Sequence, residues 1–366
     1  MEEIKKLSNT IVNYSLKLKE KEKVLITSYP ECLDLILALI EDINKVGAIP
    51  FVNMKNDIVN AKLLEVTNDN RVGLLKKIKQ EEVDNYDAFI NIRYTTNDYE
   101  ELNTNSEILK KIGEATIDSD NIRINKRKWV LLNYPSRLDA YKANMDTISY
   151  KNYALEVMNV NYEDMFERIK PLKELMEKTD KVRIVSPNTD ITFSIKDMPI
   201  IPCTGTANIP DGEIYTAPIK TSVNGTITYN VKSPYNGFVF ENVSFKFKDG
   251  KIIEANSNNN KKIEEILNTD EGARYIGEFS LGLNPKILYP MGDILYDEKI
   301  IGSIHFTPGA AYSDAYNGNN SSVHWDLVLI QREDYGGGEI YFDDVLIRKN
   351  GIFVLPELLH LNYHLK

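Results

Sequence analysis

The stretch VLITSYPECLDLILALIEDINKVGAIPFV, residues 24–52, decides the fold of the N-terminal half. It opens on a short β-branched run that is typical of a strand. Apolar residues then recur at spacings of three and four between residues 32 and 46, which places one apolar face on a helix. Gly47 stands where a left-handed C-cap is expected, and residues 49–52 have the pattern of the next strand. The stretch predicts a βαβ unit, and therefore a parallel sheet covered by helices.

The same alternation of strand and helix continues beyond this unit. Apolar runs at residues 88–92 and 129–132 extend the predicted sheet. No glycine-rich turn follows any of these strands, so the pattern does not support a dinucleotide site. A further amphipathic helix is predicted over residues 165–176, and Pro171 within it predicts a kink or a break.

The pattern changes after Asp180. Apolar and polar residues alternate in three segments, 191–195, 226–229 and 243–247. Turns are predicted at two dipeptides, Asn224-Gly225 and Asp249-Gly250. We therefore predict an α/β domain over residues 1–180 and a β-rich α+β domain with the metal site over residues 181–366.

Composition excludes several classes of protein. The 366 residues include 54 acids and 44 bases, for a formal charge of −10, which disfavours binding to nucleic acid. Two cysteines, Cys32 and Cys203, cannot stabilise so long a chain by disulfides and predict a cytoplasmic location. The charged N-terminus predicts no signal peptide, and the most apolar stretch, residues 32–40, is too short to span a bilayer.

Two short segments of the second domain each carry a glutamate. The sequence Asn-Ile-Pro-Asp-Gly-Glu at 208–213 ends in Glu213, and taken alone it is typical of a surface turn. The sequence Gly-Glu-Phe-Ser-Leu-Gly-Leu-Asn at 277–284 places Glu278 among glycine and apolar residues. A buried carboxylate needs a partner, so both a functional site and a structural ion pair fit Glu278.

Two further segments each carry a histidine. The segment from Asp297 to His305 ends in a strand-like run, where a lone histidine is usually a hydrogen-bonded core residue. In the predicted strand over residues 323–330, His324 and Asp326 are two apart and share one face. An imidazole and a carboxylate projecting together suit a first-row metal, although a structural hydrogen bond between them has the same pattern.

The segments together supply a set of five side chains: Glu213, Glu278, His305, His324 and Asp326. Three carboxylates and two imidazoles are too many for one tetrahedral zinc and are typical of two metal ions that share ligands. Three anions against two dications leave a charge of +1, which one bridging hydroxide would neutralise. Without metal, the clustered carboxylates would raise one another's pKa values.

In their order and separations these segments resemble the M29 family of metallopeptidases, the aminopeptidase T or thermophilic aminopeptidase group. The resemblance is carried by Asn-Ile-Pro-x-Gly-Glu, Gly-Glu-x-x-x-Gly-x-Asn, Asp-Glu-Lys…Gly-x-x-His and His-x-Asp. It covers most of the chain, is strong from Asn208 to Asp326 and weaker in the first domain. It implies the thermophilic metalloprotease-like fold.

The resemblance also implies an activity. The five side chains would bind two divalent metal ions per chain, with zinc the first choice and cobalt, manganese or magnesium as alternatives. Tyr312, seven residues after His305, matches the catalytic tyrosine of the family, where a phenol can donate to the developing oxyanion. The implied protein is a cytoplasmic, homodimeric metallo-aminopeptidase that acts on short peptides, with a bridging water or hydroxide as nucleophile and Glu278 as bridging carboxylate.

Two alternatives stay open at the level of sequence. The chain could be a non-catalytic metal- or peptide-binding relative, or another dinuclear hydrolase acting on amides or phosphate esters.

Asp297 and Glu298 are interpreted as turn acids. The segment Gly336-Gly337-Gly338 is interpreted as a hairpin or flap, because a strand-like pattern follows it.

Overall fold

The computed structural model describes residues 2–100 and 104–362. The chain divides into two compact units, the first formed by Met1–Asn159 and Gly205–Pro210, the second by Val160–Thr204 and Asp211–Lys366. The prediction of two regions, one with a parallel sheet and one rich in β-structure, is confirmed.

The first unit is built on parallel strands and the helices between them. Its strands are β1 (Lys23–Ser28), β2 (Ile49–Met54), β3 (Ala88–Arg93) and β4 (Lys128–Asn133). Its helices are α1 (Glu2–Asn9), α2 (Leu33–Lys45), α3 (Asp57–Glu65), α4 (Asp69–Asn85), α5 (Ser106–Lys126), α6 (Arg137–Lys142) and α7 (Thr147–Met158). Each strand was predicted from its apolar run.

The βαβ unit forms as the opening stretch predicts. Strands β1 and β2 pair in parallel, and helix α2 between them buries Leu35, Leu39 and Ile43 on one face. Gly47 follows the helix with a φ of 78°, the left-handed conformation that a glycine C-cap adopts without strain.

The second unit begins with helix α8 (Tyr162–Met176), which continues through Pro171 as one element. Its strands, with one short strand of the first unit among them, are β5 (Lys181–Ser186), β6 (Thr189–Ser194), β7 (Ile201–Cys203), β8 (Asn208–Ile209), β9 (Glu213–Thr216), β10 (Asn224–Thr228), β11 (Ser233–Tyr235), β12 (Phe238–Phe240), β13 (Ser244–Lys248), β14 (Lys251–Asn256), β15 (Ile276–Gly282), β16 (Ser303–Pro308), β17 (Val328–Ile330), β18 (Glu339–Phe342), β19 (Val345–Lys349) and β20 (Ile352–Phe353). Two short helices, α9 (Asn260–Leu267) and α10 (Ile294–Asp297), lie among them.

These strands form separate sheets. The first unit holds the order β2-β1-β3-β4-β8, in which β8 joins β4 in parallel. The second unit holds an eight-stranded sheet, β14-β13-β10-β6-β5-β18-β19-β20, and a five-stranded sheet, β17-β16-β15-β9-β7. Every pairing in the five-stranded sheet is antiparallel, and this sheet carries the candidate site.

Helix α8 belongs to the second unit, so the contacts divide the chain at residue 159 and not near residue 180. The helix packs on β7 and on the C-terminal turn Pro356–Leu361. Two hydrogen bonds join it to that turn, because Arg168 Nη1 donates to the His360 carbonyl and His360 Nε2 lies 2.7 Å from the Arg168 carbonyl.

Two local predictions are wrong. Asn224-Gly225 is not a turn, because both residues lie in β10, where a Cβ on Gly225 would approach the Asp190 carbonyl to 2.2 Å. The strand predicted over residues 323–330 forms only as β17, and His324 is held instead by an isolated bridge to Gly309. Within the described residues, none of the helices has both the length and the apolar character needed to cross a bilayer.

Candidate metal centre

Three adjacent strands of the five-stranded sheet bring the first three predicted side chains together. Glu213 begins β9, Glu278 lies in β15, and His305 lies in β16. Glu213 is paired with Gly282, four residues from Glu278 along the same strand, and His305 is paired with Ser280, two residues from it. Because every second residue of a strand shares a face, all three side chains project to the same side of the sheet.

The three side chains meet in the interior. His305 Nε2 lies 2.9 Å from Glu278 Oε1 and 3.5 Å from Glu213 Oε2. Glu213, Glu278 and His305 are each no more than 5% exposed. Removing a charge from water costs several kcal/mol unless a partner compensates it, so this arrangement depends on its mutual contacts.

His324 and Asp326 approach from the segment that precedes β17. His324 Nε2 lies 3.2 Å from Asp326 Oδ1 and 3.4 Å from Glu278 Oε2. One oxygen of Glu278 therefore faces His305 and the other faces His324. The structure brings all five predicted side chains into one cluster, with Glu278 common to its two halves.

Each half has the composition of a cation site. The ligand atoms of Glu213, Glu278 and His305 lie within 4.8 Å of one another, and so do those of Glu278, His324 and Asp326. Two groups that share one carboxylate are the arrangement found where two metal ions lie about 3.5–4 Å apart.

Backbone carbonyl groups fix the orientation of both histidine rings. His305 Nδ1 lies 3.2 Å from the Glu298 carbonyl, and His324 Nδ1 lies 2.9 Å from the Ala310 carbonyl. A carbonyl accepts only from a protonated nitrogen, so Nδ1 of each ring carries a proton, and Nε2 of each ring faces the cluster. Such backbone partners are the usual way of fixing a metal-binding imidazole.

Hydroxyl groups orient two of the carboxylates. Ser280 Oγ donates to Glu213 Oε2 at 2.9 Å, and Thr307 Oγ1 donates to Asp326 Oδ1 at 2.7 Å. Ser280 lies in β15 and Thr307 lies in β16, so the sheet that carries the cluster also fixes the orientation of these carboxylates.

The carboxylates of the cluster raise the pKa values of both histidines. Burial alone would lower the pKa of both histidines. Glu278 and Glu213 nevertheless raise the pKa of His305 to about 10, and Asp326 and Glu278 raise that of His324 to about 12. The pKa of Asp326 is held far below its usual range, because His324 and His305 outweigh the effect of burial. Cations entering such a cluster would displace the protons of these histidines.

The side chains present fit a metal ion. His324 Nε2 is buried and makes no hydrogen bond, although two carboxylate oxygens lie within 3.4 Å of it. Atoms that converge on one point without forming a hydrogen bond are arranged for a cation at that point. A mixed set of carboxylate oxygens and imidazole nitrogens suits zinc, cobalt or manganese.

Sequence reasoning missed two charged residues at this cluster. Lys299 is fully buried, with Nζ 3.5 Å from Glu213 Oε1 and in direct contact with the Glu298 carboxylate. Glu298 lies within reach of His305 and Asp326. Burial raises the pKa of Glu298 to about 8, against the opposing effect of Lys299. Lys299 therefore adds a buried cation to the cluster, and Glu298 adds a carboxyl group in contact with it.

The interpretation of Asp297 and Glu298 as simple turn acids is therefore wrong. Asp297 is 2% exposed, and its two oxygens accept from the backbone N–H groups of Met291 and Gly292. The signal lay in the sequence, because the charged residues 297–299 directly precede the apolar pair Ile300 and Ile301. A charge next to a buried run predicts a partnered interior group.

Tyr312 lies at the exposed side of the cluster. Its ring centroid is 4.6 Å from that of His324, and the residue is 48% exposed. Burial of its hydroxyl end and the nearby Glu278 and Asp326 carboxylates raise its pKa well above the usual value, so the phenol keeps its proton. Gly277 allows the Tyr312 loop to lie against β15, because a Cβ there would approach the Ala310 carbonyl to 2.2 Å.

An α/β unit joined to a β-rich unit that buries a carboxylate–imidazole cluster is typical of a metal-dependent hydrolase. The model of the thermophilic metalloprotease (M29) family matches residues 1–353. The chain belongs to this family, which confirms the resemblance seen in the motifs.

Curated relatives agree with this assignment. The chain is 31% identical over 144 residues to aminopeptidase 2 of Geobacillus stearothermophilus, an alignment covering 33% of this chain and 34% of that protein. It is 28% identical over 143 residues to aminopeptidase T of Thermus aquaticus, covering 34% and 35%. The alignments span about a third of the length of these relatives.

A solved structure supports the fold over nearly the whole chain. Wild-type AmpT from Thermus thermophilus superposes with a TM-score of 0.79 and 18% sequence identity, covering 97% of this chain and 99% of that one. At this identity the likeness shows the fold alone.

Proposed function

We propose that the protein is a metal-dependent aminopeptidase that hydrolyses N-terminal residues from peptides at a dinuclear metal site. The observation that carries the proposal is the convergence of Glu213, Glu278, His305, His324 and Asp326, with Glu278 facing both histidines. Membership of the M29 family and the names of the curated relatives support the same activity.

Each half of the cluster would hold one divalent ion. Glu213, Glu278 and His305 would hold the first, and Glu278, His324 and Asp326 would hold the second, so Glu278 would be shared. When bound, such a pair activates water and polarises a carbonyl. Zinc is the first choice, and cobalt, manganese and magnesium are compatible with the same donors.

Tyr312 would stabilise the oxyanion. Its phenol is protonated, and its ring lies beside His324 on the exposed side of the cluster. A hydrogen bond to the carbonyl oxygen as it becomes negative lowers the barrier more than it stabilises the bound substrate.

Glu298 would accept the proton released by the attacking water. It lies beside His305 and Asp326 but is not needed as one of the five ligands. A carboxylate this close to the cluster is within reach of a water held there and can act as its general base. Lys299 contacts both carboxylates and would therefore separate the general base, Glu298, from the metal ligand Glu213.

The substrates, assembly and location remain predictions that follow from the family. Short peptides with a free N-terminus are the expected substrates, and a cytoplasmic homodimer is the expected form. Light scattering of the purified protein measures the oligomeric state directly.

Metal removal tests the proposal. The protein is dialysed against a chelator and assayed for release of the first residue from tripeptides before and after zinc or cobalt is added. We expect activity to disappear and return, with two ions per chain by elemental analysis. Activity that never depends on metal would end the proposal, and one ion per chain would end its dinuclear form.

Two sets of substrates separate the proposed activity from its alternatives. Tripeptides with an acetylated N-terminus should not be cleaved, because the site is expected to require a free amine. Turnover of phosphate esters in place of peptides would identify another dinuclear hydrolase. Metal binding without turnover of either set would identify a non-catalytic relative.

A further inference from the structure

A second tyrosine lies against Tyr312. Tyr215 lies in β9 two residues after Glu213, so both side chains project from the same face of the sheet. The ring centroids of Tyr215 and Tyr312 are 5.8 Å apart, with an interplanar angle of 66°. This edge-to-face contact joins a residue that is 8% exposed to one that is 48% exposed.

The hydroxyl of Tyr215 is tied to the segment that carries Tyr312. It donates to the Asp314 carboxylate, whose two oxygens both lie at 2.8 Å. Asp314 lies in the turn Ser313–Ala315, immediately after Tyr312. Burial raises the pKa of Tyr215, and nearby Cys203 and Asp314 raise it further, so its hydroxyl remains a donor.

The backbone of this segment has anchors of its own. Asn317 Nδ2 donates to the carbonyls of Pro218 and Ile276. Asn319 Nδ2 donates to the carbonyls of Gly272 and Gly309. The loop therefore has anchors that do not involve the Tyr215–Asp314 bond, which ties it to the ring packed against Tyr312.

We infer that Tyr215 and Asp314 are positioning residues that hold the Tyr312 phenol in its catalytic orientation. The inference rests on the proposed function, in which Tyr312 stabilises the oxyanion. The Tyr312 ring has His324 on one side and the Tyr215 ring on another, and nearly half of the residue faces solvent. Asp314 fixes the Tyr215 ring, and that ring limits the rotation of Tyr312.

A positioning role predicts an effect on turnover and not on binding. A phenol that samples other orientations spends less time where the oxyanion forms, which lowers kcat while substrate and metal bind as before. The geometry requires no change in metal content, because neither Tyr215 nor Asp314 belongs to the two groups built on Glu278.

A double-mutant cycle is the first test. Tyr215→Phe removes only the hydroxyl, and we expect kcat to fall about tenfold with KM unchanged. In a Tyr312→Phe background the same change should have no further effect, because the group that it positions is gone. An equal loss in both backgrounds would mean that Tyr215 acts through the fold in general, and the inference would be overturned.

Variants of Asp314 supply a matched control. Asp314→Ala should reproduce the loss seen with Tyr215→Phe. Asp314→Asn keeps an oxygen that can accept from Tyr215 and should recover most of the turnover. Equal activity of the Asn and Ala variants would contradict the role of this hydrogen bond.

A spectroscopic test needs neither metal nor turnover. In metal-free protein labelled with 3-fluorotyrosine, the Tyr312 resonance is identified by its absence from Tyr312→Phe. We expect Tyr215→Phe to narrow it and move it towards the position of a free tyrosine, and an unchanged resonance would overturn the inference. This result is independent of catalysis. An inactive wild-type protein would therefore contradict the proposed function, whereas the Tyr312 resonance alone tests whether Tyr215 positions the Tyr312 ring.

Discussion

Strand β3 of the first unit and strand β15 of the second are both interior strands of their sheets, but they bury different kinds of side chain. The buried residues of β3 are apolar, namely Ala88, Phe89, Ile90 and Ile92. All seven residues of β15 are buried, and they include the Glu278 carboxylate and the Ser280 hydroxyl. Both strands have neighbours on either side in their sheets.

The difference shows what each strand contributes. An apolar interior strand stabilises its unit by removing hydrocarbon from water. A buried carboxylate opposes folding unless partners compensate it, so its presence points to binding or catalysis. Among the described residues, every group of acids, histidines and cysteines close enough to hold a cation lies in the second unit.

The largest predicted effect, on both metal content and turnover, comes from replacing Glu278, the carboxylate that the two halves of the cluster share. Glu278→Gln keeps the shape of the side chain but removes the charge that faces both histidines. We expect loss of both metal ions and a fall in turnover of roughly a thousandfold or more. Elemental analysis and the peptide assay measure the two effects.

The control for Glu278→Gln lies in the first unit. Leu39 is fully buried in α2, and Leu39→Ala should destabilise the protein by about 2–5 kcal/mol. Its metal content per folded chain should match that of the wild type. Loss of metal in Leu39→Ala, or retention of both ions in Glu278→Gln, would contradict the contrast between the two units.

Lys299→Met should give the next largest effect, measured as free energy of unfolding of the metal-free protein. It removes the buried cation between Glu213 and Glu298, and breaking a buried pair from one side costs about 3–5 kcal/mol. Lys246→Met is the matched control, because Lys246 pairs with Glu254 at 2.9 Å on the surface, where such pairs contribute about 0–1 kcal/mol. Similar losses in the two variants would show that burial is not what makes Lys299 important.

The smallest effect concerns the loop that leads to His324. Asp270 accepts from Ala273, from the Ser321 hydroxyl, and from both the N–H and the hydroxyl of Ser322. Burial would raise its pKa, but these hydrogen bonds together lower it to about 2. A carboxyl group whose pKa is lower in the folded than in the unfolded state stabilises above about pH 4, and this stabilisation disappears as the pH falls towards 2.

Asp270→Asn tests that pH dependence. The difference in unfolding free energy from the wild type should be on the order of 1 kcal/mol at pH 7, allowing for solvent screening, and should shrink between about pH 4 and pH 2. Denaturant titrations at a series of pH values measure it. A difference that stays constant across this range would show that the charge of Asp270 is not involved.

Much of the first unit could be predicted because its signals are local. The spacing of Leu35, Leu39 and Ile43 predicted the buried face of α2, and Gly47 predicted where that helix ends. The prediction for Asn224-Gly225 was wrong because a glycine needed for close approach of β6 carries the same sequence signal as a turn glycine.

The candidate site was predicted in part. The five side chains were identified from their motifs, and the structure brings all five together. Lys299 and Glu298 were missed because charged residues beside an apolar pair indicate burial, but the order of residues does not show that they meet Glu213 and His305 from other strands. The roles of the five as metal ligands stay a prediction until metal is measured.

The sequence by itself determined the type of each unit, the family and the identity of the candidate ligands, because periodicity and motif spacing are properties of neighbouring residues. Only the tertiary structure decided that Glu278 presents one oxygen to each histidine, that Lys299 lies beside Glu213, and that the Tyr215 ring packs against the Tyr312 ring. Those contacts depend on strand register and on segments tens of residues apart, and register is fixed by packing of the whole sheet.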